Sequence, residues 1–312
     1  MSLRRPLATA ALLTLALTGL VACGDDNGDG GGAASGGGDN TPLTIATQNF
    51  PEANLVGSLY DVLLSAKGYD VDLKAVDTRD AYLSTFPGDV DVVPEYLGAF
   101  GEALNAAANG EGAAPVATND SEATLAAVEP LAKDKGITLL DLSEANSQNA
   151  FFVTQEQADG GLSTLSDLTG QSVVLAGSPD CKGRSDCEGG LTGTYGIDIS
   201  EILPLGFASP ETYAAVKDGE AQLGLTGTID PNLDDEGLVL LDDDKGIQPA
   251  QNYVPAVSSE FLAAHGDIEQ PLNDLMAALD NDTVNELLGR VTLDREKPED
   301  VARDFLESEG LI

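Results

Sequence analysis

The sequence predicts an α/β fold made of two units, and three observations support this. From Leu43 onward, short apolar strands alternate with amphipathic helices, an order typical of a parallel sheet with helices on its faces. The chain has 312 residues and is 42% hydrophobic, which suffices for two domains of ordinary size or one large domain. The pattern leaves a first α/β unit near residue 147 and returns to it near residue 252.

The first unit is predicted from the spacing of its apolar residues. Residues 43–50 predict a strand followed by a loop. Residues 53–68 predict a helix, because Leu55 and Leu59 lie at helical spacing and Gly68 ends the run. The other elements are a strand at 69–76, a short helix at 80–88, a strand at 89–93, a helix at 121–136 and a strand at 137–142.

The second unit, which begins at residues 151–158, repeats this alternation, and the chain then returns to the first. Helices between successive strands favour parallel pairing here as well. The elements are a short helix and turn at 162–170, a strand at 171–177, a helix at 210–219, strands at 221–227 and 238–246, a return strand at 252–262, and helices at 267–280, 282–290 and 298–309.

The N-terminus has the features of an export sequence. Arg4 and Arg5 precede the apolar run ALLTLALTGL, which is too short to span a bilayer. The run ends in LVAC at 20–23, which resembles the bacterial lipobox, in which the cysteine becomes the lipidated first residue of the mature chain. The alternative is a soluble signal peptide with a chance cysteine. We therefore expect a signal peptide at 1–22 and a lipid on Cys23, where two acyl chains give stable anchoring.

Residues 23–42 are predicted to be the lipidated cysteine followed by a flexible tether. The stretch is rich in Gly and Asp and contains too few apolar residues to pack. Together with the export sequence, it places the protein on the extracytoplasmic face of the bacterial cell membrane, held there by its lipid anchor.

The charge of the chain excludes one class of partner. There are 15 Lys and Arg against 53 Asp and Glu, a formal net charge of −38, and removing residues 1–22 takes away two Arg and no acid, giving 13 − 53 = −40. Such a surface repels phosphate backbones, so we expect no nucleic-acid partner.

Two cysteines remain once Cys23 is assigned to lipid. Cys181 and Cys187 lie within DCKGRSDCEGG, and an oxidising compartment favours a disulfide between them. A zinc site would need two further ligands, and the chain's single histidine, His265, is distant in sequence. We expect no metal and no cofactor.

The stretch DVDVVPEYLGAF at 89–100 raises the first question about a binding site. Its valines predict a buried strand, and Pro94 is expected to end the pairing of that strand. Glu95 has two interpretations. It is either a cleft carboxylate that favours a cation or a surface residue in a solvated turn or a lobe contact, and the second is favoured. Tyr96 then lies at the carboxyl end of the strand, where open α/β sheets bind ligands. Arg79 also has two interpretations, an anion partner in lobe I or an exposed arginine paired with Asp77 or Asp80, and the second is favoured.

Four segments together resemble the substrate-binding proteins of ABC importers for glycine betaine, choline, carnitine and related osmoprotectants. The resemblance runs from Leu43 to Ile312. The segments are IATQNFPEANLVGSLYDVLLSAKGYDVD at 45–72, GDVDVVPEYLGAF at 88–100, DDDKG at 242–246 and EDVARDFLESEGL at 299–311.

The resemblance implies a two-lobed type II periplasmic-binding-protein fold that closes on its ligand about a hinge of two crossing segments, near Asn149–Val153 and Gln251–Val257. Lobe I comprises residues 43–147 and 253–312, and lobe II comprises residues 148–252. The partners it implies are a small quaternary-amine or polar cationic solute and the permease and ATPase subunits of an importer. The protein is expected to act as a monomer and not as an enzyme.

The site implied by the resemblance is a cage of aromatic faces around a quaternary ammonium, since such a cation cannot donate a hydrogen bond. Tyr96 and Phe50 are its members in lobe I, with Asn49 beside them. Where family members place tyrosines, this chain has Asn149, Gly227 and Gln251, which predicts a more polar cleft. Its further members are Gln148, Thr226, Asn252 and Tyr213, with Tyr253 as another ring that either contributes to the cage or packs in the hinge.

Three alternatives remain open at this stage. The first is a binding protein for a more polar cationic or amino-acid-like solute. The second is a secreted glycoside hydrolase using a carboxylate pair such as Asp91 and Glu95. The third is a tethered surface protein that binds another protein through an exposed apolar patch.

Overall fold

The structure is a computed structural model, and it describes residues 40–312. The predicted signal peptide, the lipidation residue Cys23 and the tether up to residue 39 lie outside the described residues. Within residues 40–312, no helix is both long enough and apolar enough to span a membrane. The same part of the chain contains no group of three or more His, Cys, Asp or Glu side chains placed to hold a metal ion.

The first part of the described chain forms four strands and four helices. Helix α1 begins at Pro51, where the missing N–H is not needed, and Gly68 follows it with a φ of 96° that only glycine adopts easily. The elements are β1 Pro42–Gln48, α1 Pro51–Ala66, β2 Asp70–Val76, α2 Arg79–Leu83, β3 Val92–Tyr96, α3 Leu97–Asn109, α4 Ser121–Asp134 and β4 Ile137–Leu139.

The middle part of the chain forms five strands and four short helices. Helix α5 begins with a capping box in which Thr154 and Gln157 bond each other's backbone. The elements are β5 Asn149–Thr154, α5 Gln155–Asp159, β6 Ser172–Gly177, α6 Glu188–Gly193, β7 Asp198–Pro204, α7 Pro210–Lys217, β8 Leu223–Gly227, α8 Leu233–Glu236 and β9 Leu238–Leu241.

The last part of the chain returns to the first sheet. Helix α12 packs its apolar face, including Val301 and Leu306, into the same core as Leu55 and Leu59 of α1. The elements are β10 Tyr253–Ser258, α9 Ser259–Ala264, α10 Glu269–Ala277, α11 Asn281–Thr292 and α12 Pro298–Ser308.

The strands form two five-stranded sheets, in the orders β2-β1-β3-β10-β4 and β7-β6-β8-β5-β9. We call the first sheet with its helices lobe I and the second lobe II. The α/β class is confirmed, but the sheets are mixed, whereas the sequence predicts parallel sheets. Strand β10 begins with Tyr253 beside Tyr96 at the end of β3, and β5 begins with Asn149 beside Gly227 at the end of β8. Each strand therefore runs antiparallel to its neighbour as it leaves the connection between the lobes.

Two connecting segments cross between the lobes, at 146–149 and 248–252. The sequence predicts them a few residues later, near 149–153 and 251–257, but those residues lie largely in strands β5 and β10. They are hydrogen-bonded to each other, because Ser147 N donates to Gln251 O at 3.2 Å and Gln251 N donates to the Asn146 side chain at 2.8 Å. The Gln148 amide Nε2 also donates to Pro249 O at 2.8 Å. The two segments thus form one narrow bridge between the lobes.

The structure corrects the predictions made for Pro94, Glu95 and Arg79. Pro94 does not end strand pairing, because it lies inside β3 opposite Pro255, where neither residue has an N–H to donate. Glu95 is not in a solvated turn; it is fully buried. Arg79 is not paired with a neighbouring aspartate, since its Nε and Nη2 donate to the Glu95 carboxylate at 3.0–3.2 Å. A buried charge of this kind is retained when it is paired and hydrogen-bonded.

Several elements are absent from the sequence prediction, including α8 at Leu233–Glu236. Helix α3 at Leu97–Asn109 follows β3 with no connecting residue, and helix α6 and strand β7 lie in the stretch between the predicted elements at 171–177 and 210–219. Strand β7 is an edge strand with an exposed, poorly alternating sequence, so its apolar pattern is weak.

Candidate functional site

A cavity of about 350 Å³ lies between the lobes, and we call it the front cavity. It is formed by residues that follow β1, β6, β7 and β8 and by both crossing segments. Open α/β sheets bind ligands at the carboxyl ends of their parallel strands. The lining residues are Phe50, Glu52, Ser147, Gln148, Asn149, Arg184, Asp186, Phe207, Gly227, Ile229, Gln248, Pro249 and Gln251.

Glu52 is a carboxylate held in the wall of the front cavity by three hydroxyl groups. Tyr96 and Tyr253 each donate to Oε1 at 2.8 Å, and Ser147 donates to Oε2 at 3.2 Å. Burial raises the pKa of Glu52 above its usual value, and the hydrogen bonds from Tyr253, Tyr96 and Ser147 oppose that increase. Burial, together with the nearby Glu52 charge, raises the pKa of both tyrosines, so they remain protonated donors. The position and direction of this carboxylate are therefore fixed before any ligand arrives.

Two exposed phenylalanines line the front cavity, one from each lobe. Phe50 is 38% exposed and Phe207 is 49% exposed. Phe50 stacks on Tyr96 with ring centroids 6.2 Å apart, which leaves part of its surface facing the cavity. A Cβ atom on Gly227 would lie 3.5 Å from Cζ of Phe207. The Phe207 ring thus occupies space next to Gly227, the position at which the family resemblance places an aromatic side chain.

The other charged residues of the front cavity come from the loop between β6 and α6. Arg184 and Asp186 both line the cavity, and the Arg184 guanidinium donates to both oxygens of the Asp186 carboxylate. Asn149 Nδ2 also donates to Asp186 at 3.0 Å. Cys181 and Cys187, which flank these two residues, are joined in a disulfide with their Cα atoms 5.3 Å apart.

The PEYLG stretch secures the second crossing segment to lobe I. The first N–H groups of α3 donate to this segment: Leu97 N to Asn252 O and Gly98 N to Ala250 O, both at 3.0 Å. A Cβ atom on Gly98 would lie 2.5 Å from the Ala250 carbonyl oxygen, so only glycine fits. The first N–H groups of α3, which have no partner inside the helix, are in this way hydrogen-bonded to carbonyl groups of the second crossing segment.

Four of the sequence-predicted ligand-binding residues are brought together in the front cavity: Phe50, Gln148, Asn149 and Gln251. The Gln251 side chain also accepts a hydrogen bond from Ala99 N at 3.0 Å, which fixes its orientation. Tyr96 lies directly behind them. Its ring touches Phe50 and its hydroxyl holds Glu52, so it shapes the wall of the cavity.

Tyr213 and Thr226 do not line the front cavity. Tyr213 is 4% exposed, packs against Phe152 with ring centroids 5.6 Å apart and donates to Asp230 at 2.7 Å. Thr226 is fully buried, and its hydroxyl donates to the same Asp230 carboxylate. Both side chains are therefore committed to the interior of lobe II.

Asn252 and Asn49 do not line it either. Asn252 is 8% exposed, accepts a hydrogen bond from Ser121 at 2.7 Å and donates to Ser143 O at 3.0 Å. Asn49 is exposed at the end of β1, where its side chain accepts from Asn54 at 3.4 Å. Neither side chain reaches the cavity in this structure.

Sequence reasoning missed Glu52, Phe207 and Arg184. A proline followed by an acidic residue at the start of α1 is an ordinary helix beginning, so Glu52 has no distinguishing pattern. Phe207 lies in the turn between β7 and α7 and follows Leu203 and Leu205 at a spacing of two, so its pattern is that of a strand continuing and does not indicate a binding role. Arg184 is one of only 15 basic residues in the chain, and it lies between the two paired cysteines.

Three cavities in the described part of the chain are larger than the front cavity. One of about 650 Å³ is lined by residues of lobe I alone, including Asp91 and Phe261. The other two, of about 760 and 950 Å³, are lined mainly by residues around β9 and α11. The wall of the 760 Å³ cavity is dominated by amide and carboxylate side chains, including Asp242, Asp244 and Asp282. Neither contains an exposed aromatic ring or lies at the ends of parallel strands on both lobes. The front cavity is therefore the better candidate for the functional site.

The front cavity contains groups that recognise a cation and other groups that donate hydrogen bonds. Two aromatic faces and the Glu52 carboxylate attract a cation. The Arg184 guanidinium already pairs with Asp186 and Asp180 through three of its five N–H groups, and the other two remain as donors for an acceptor group. Two carboxylates against one guanidinium leave a negative balance.

The sequence of this chain is similar to those of one family of transport proteins. Residues 41–308 match the family described as the substrate binding domain of the ABC-type glycine betaine transport system. A glycine-betaine-binding protein of Pseudomonas aeruginosa is 27% identical over 283 residues, covering 86% of this chain and 88% of that protein. The glycine betaine-binding protein YehZ of Escherichia coli is 23% identical over 290 residues, covering 86% and 91%.

Solved structures share the fold. A structure described as a glycine betaine/carnitine/choline ABC transporter matches with a TM-score of 0.75 at 20% identity, covering 86% of this chain and 99% of that chain. Apo YehZ from Escherichia coli matches with a TM-score of 0.72 at 22% identity, covering 87% and 99%. The two-lobed type II periplasmic-binding-protein fold is thereby confirmed. The chain belongs to the family of substrate-binding domains of ABC-type glycine betaine transport systems.

Proposed function

We propose that this protein is the lipid-anchored, extracytoplasmic solute-binding component of an ABC importer, and that it binds glycine betaine or a related quaternary amine and delivers it to the permease. The observation that carries this proposal is the front cavity, where one exposed phenylalanine from each lobe and the Glu52 carboxylate surround a space of about 350 Å³. Proteins of this family are binding components of transporters and not enzymes, and this chain is not an enzyme.

In this proposal the ligand lies across the front cavity with its two ends recognised differently. The cation contacts Phe50 and Phe207 and lies close to Glu52, because a quaternary ammonium is held by ring faces and negative charge. A carboxylate on the same ligand accepts hydrogen bonds from Arg184 and from the Asn149 amide. Both phenylalanines then contact one ligand, so binding draws the two lobes together.

Closure about the crossing segments would present the protein to its permease. We assign residues 43–147 and 253–312 to lobe I and residues 148–252 to lobe II, with the hinge at the two crossing segments. The narrow, hydrogen-bonded bridge at 146–149 and 248–252 supports this assignment, since few residues need to change conformation for the lobes to move.

Isothermal titration calorimetry with a panel of quaternary amines tests the proposal. Glycine betaine, choline, carnitine and proline betaine are titrated into the purified protein, with glycine and trimethylamine as compounds that carry only half of the recognised groups. We expect saturable 1:1 binding for at least one quaternary amine that exceeds the binding of both partial compounds. Absence of binding across the quaternary amines would refute the ligand assignment.

Removing either cavity phenylalanine should weaken the binding of the ligand identified in this way. A ring face contributes about 0.5–2 kcal/mol to a bound cation. We therefore expect Phe50→Ala and Phe207→Ala each to raise Kd about fivefold, and the double variant to raise it about 25-fold. Leu293→Ala is the matched control, since Leu293 is also exposed (41%) but lies outside the front cavity. Equal effects of F207A and L293A would exclude Phe207 from the site.

Replacing Cys23 should release the protein from the membrane. The lipobox-like LVAC at 20–23 and the Gly-rich stretch after it support attachment through Cys23. We expect the C23A variant, expressed in a bacterial host, to move from the membrane fraction to the soluble extracytoplasmic fraction, while Ser35→Ala leaves the distribution unchanged. Persistence of C23A in the membrane fraction would contradict a lipid anchor at this residue.

A further inference from the structure

The disulfide-closed loop between Cys181 and Cys187 carries two residues of the front cavity. Arg184 and Asp186 line the cavity, whereas Lys182 between them and the first cysteine is exposed and does not. Both cysteines are fully buried, in the same apolar cluster as Leu191. The loop thus connects the core of lobe II directly to the ligand side of that lobe.

The five residues between the cysteines, KGRSD, contain no apolar side chain that could hold the loop against the protein. Gly183 has a φ of 78°. Glycine adopts this conformation easily but adopts others equally well, so Gly183 does not by itself fix the loop. The backbone bonds within the loop are Arg184 N to Cys181 O at 3.2 Å and Cys187 N to Arg184 O at 3.1 Å. The two half-cystines are therefore the apolar anchors of this segment.

Asp186 is the point at which the loop meets both crossing segments. Its carboxylate accepts hydrogen bonds from the Arg184 guanidinium and from Asn149 of the first crossing segment. Its backbone carbonyl accepts from Gln248 Nε2 of the second crossing segment at 2.8 Å. The direction of the Arg184 side chain consequently depends on where the loop backbone lies.

We propose that the Cys181–Cys187 disulfide is a positioning element of the ligand site, which holds the Arg184–Asp186 loop in its binding conformation before the ligand arrives. This inference rests on the proposed function, because Arg184 is taken to receive the ligand's anionic end. Ordering a loop and a long side chain during binding costs affinity, and a crosslink that orders them beforehand removes that cost. The disulfide then acts on affinity through Arg184 and not only on the stability of lobe II.

A double-mutant cycle measures whether the disulfide acts through Arg184. The C181A/C187A variant, which removes the crosslink without burying new hydroxyl groups, is titrated with glycine betaine. We expect Kd to rise about tenfold, the equivalent of about 1.4 kcal/mol. In the background of Arg184→Lys, which keeps the charge but loses the fixed fork, the same pair of substitutions should change Kd less than threefold. Lys182→Ala is the matched loop control and should leave Kd unchanged.

Hydrogen exchange of the free protein provides a second readout that needs no ligand. The amides of Arg184 and Cys187 should exchange at least ten times faster in C181A/C187A than in the wild-type protein, while the amides of β6 and β8 remain protected. Unchanged exchange of the loop, or an equal loss of affinity in the wild-type and R184K backgrounds, would overturn the inference. A wild-type protein that binds no quaternary amine, yet shows the expected loop exchange, would instead refute the proposed function.

Discussion

Replacing Glu52 by glutamine should weaken the binding of a quaternary amine about 30-fold while leaving the protein folded. The substitution keeps the shape of the side chain, and its oxygen can still accept from Tyr96 and Tyr253 while its new N–H₂ group faces the Ser147 hydroxyl. What it removes is the negative charge. At about 5 Å and an effective dielectric constant of about 20, that charge attracts a cation by about 3 kcal/mol. Screening by solvent in an open cleft lowers this to about 2 kcal/mol, or about 30-fold in Kd.

The pH dependence of binding provides an independent readout of the same prediction. Because burial raises the pKa of Glu52 above its ordinary value of 4.5, the carboxylate is neutralised at a higher pH than an exposed glutamate. A quaternary ammonium has no proton to lose, so wild-type affinity should fall as the pH decreases through this raised pKa. In the E52Q variant that part of the pH dependence should disappear. Asp186 and Arg184 line the same cavity and are present in both proteins, so the difference between the two pH profiles reports on Glu52.

The free energy of unfolding should depend on pH in the direction opposite to ligand affinity. A folded-state pKa above the unfolded value means that the ionised Glu52 is disfavoured in the folded protein, so its contribution to the free energy of unfolding decreases as the pH rises from 4.5 through the raised pKa. The E52Q variant should therefore be at least as stable as the wild-type protein at neutral pH.

Asp61→Asn is the matched control for both measurements. Asp61 lies on the same helix α1, its pKa is also raised by burial, and it bonds Ser65 far from the front cavity. If D61N weakens binding as much as E52Q, the effect belongs to the helix and not to a charge beside the ligand.

Sequence periodicity predicted most of the lobe I elements because their apolar residues face one core. Leu55 and Leu59 of α1 lie at helical spacing and are fully buried in the structure. The same reasoning predicted parallel sheets, since it assumes that each strand follows a helix that crosses the sheet. Strand β10 instead follows a crossing segment and begins beside the end of β3, a relation between residues 157 positions apart, Tyr96 and Tyr253, that local pattern does not contain.

The candidate site could be predicted only in part, from the family resemblance at the crossing segments and from a motif that marks a strand end. Tyr96 was singled out by PEYLG, and the structure places it at the end of β3 with its hydroxyl on Glu52. Phe207 and Arg184 come to the front cavity from connections after β7 and β6, and nothing in their local sequence states which face of lobe II they will occupy. Tyr213 shows the converse case: its phenol is satisfied by Asp230 inside lobe II, a partner that only the folded structure identifies.

Removing Arg79 should destabilise lobe I strongly, because it would leave the Glu95 carboxylate buried without its counter-charge. Glu95 is 0% exposed and receives three hydrogen bonds from Arg79 at 3.0–3.2 Å, with a further one from the Tyr82 hydroxyl. Breaking a buried ion pair by deleting one partner costs about 3–5 kcal/mol. Arg79→Ala should therefore lower the thermal midpoint by about 5–10 °C in circular dichroism melts.

Two variants separate a buried-charge effect from a loss of packing around Arg79. Arg290→Ala removes an arginine whose partners Glu296 and Asp304 are largely exposed, so it should cost about 1 kcal/mol or less. Adding Glu95→Gln to R79A removes the unpaired charge and should restore part of the lost stability, although it deletes a second native side chain. A double variant that is less stable than R79A would show that Arg79 acts through packing alone. Because Glu95 immediately precedes Tyr96, whose hydroxyl fixes Glu52, the same buried pair also anchors the strand end from which the cation side of the front cavity is built.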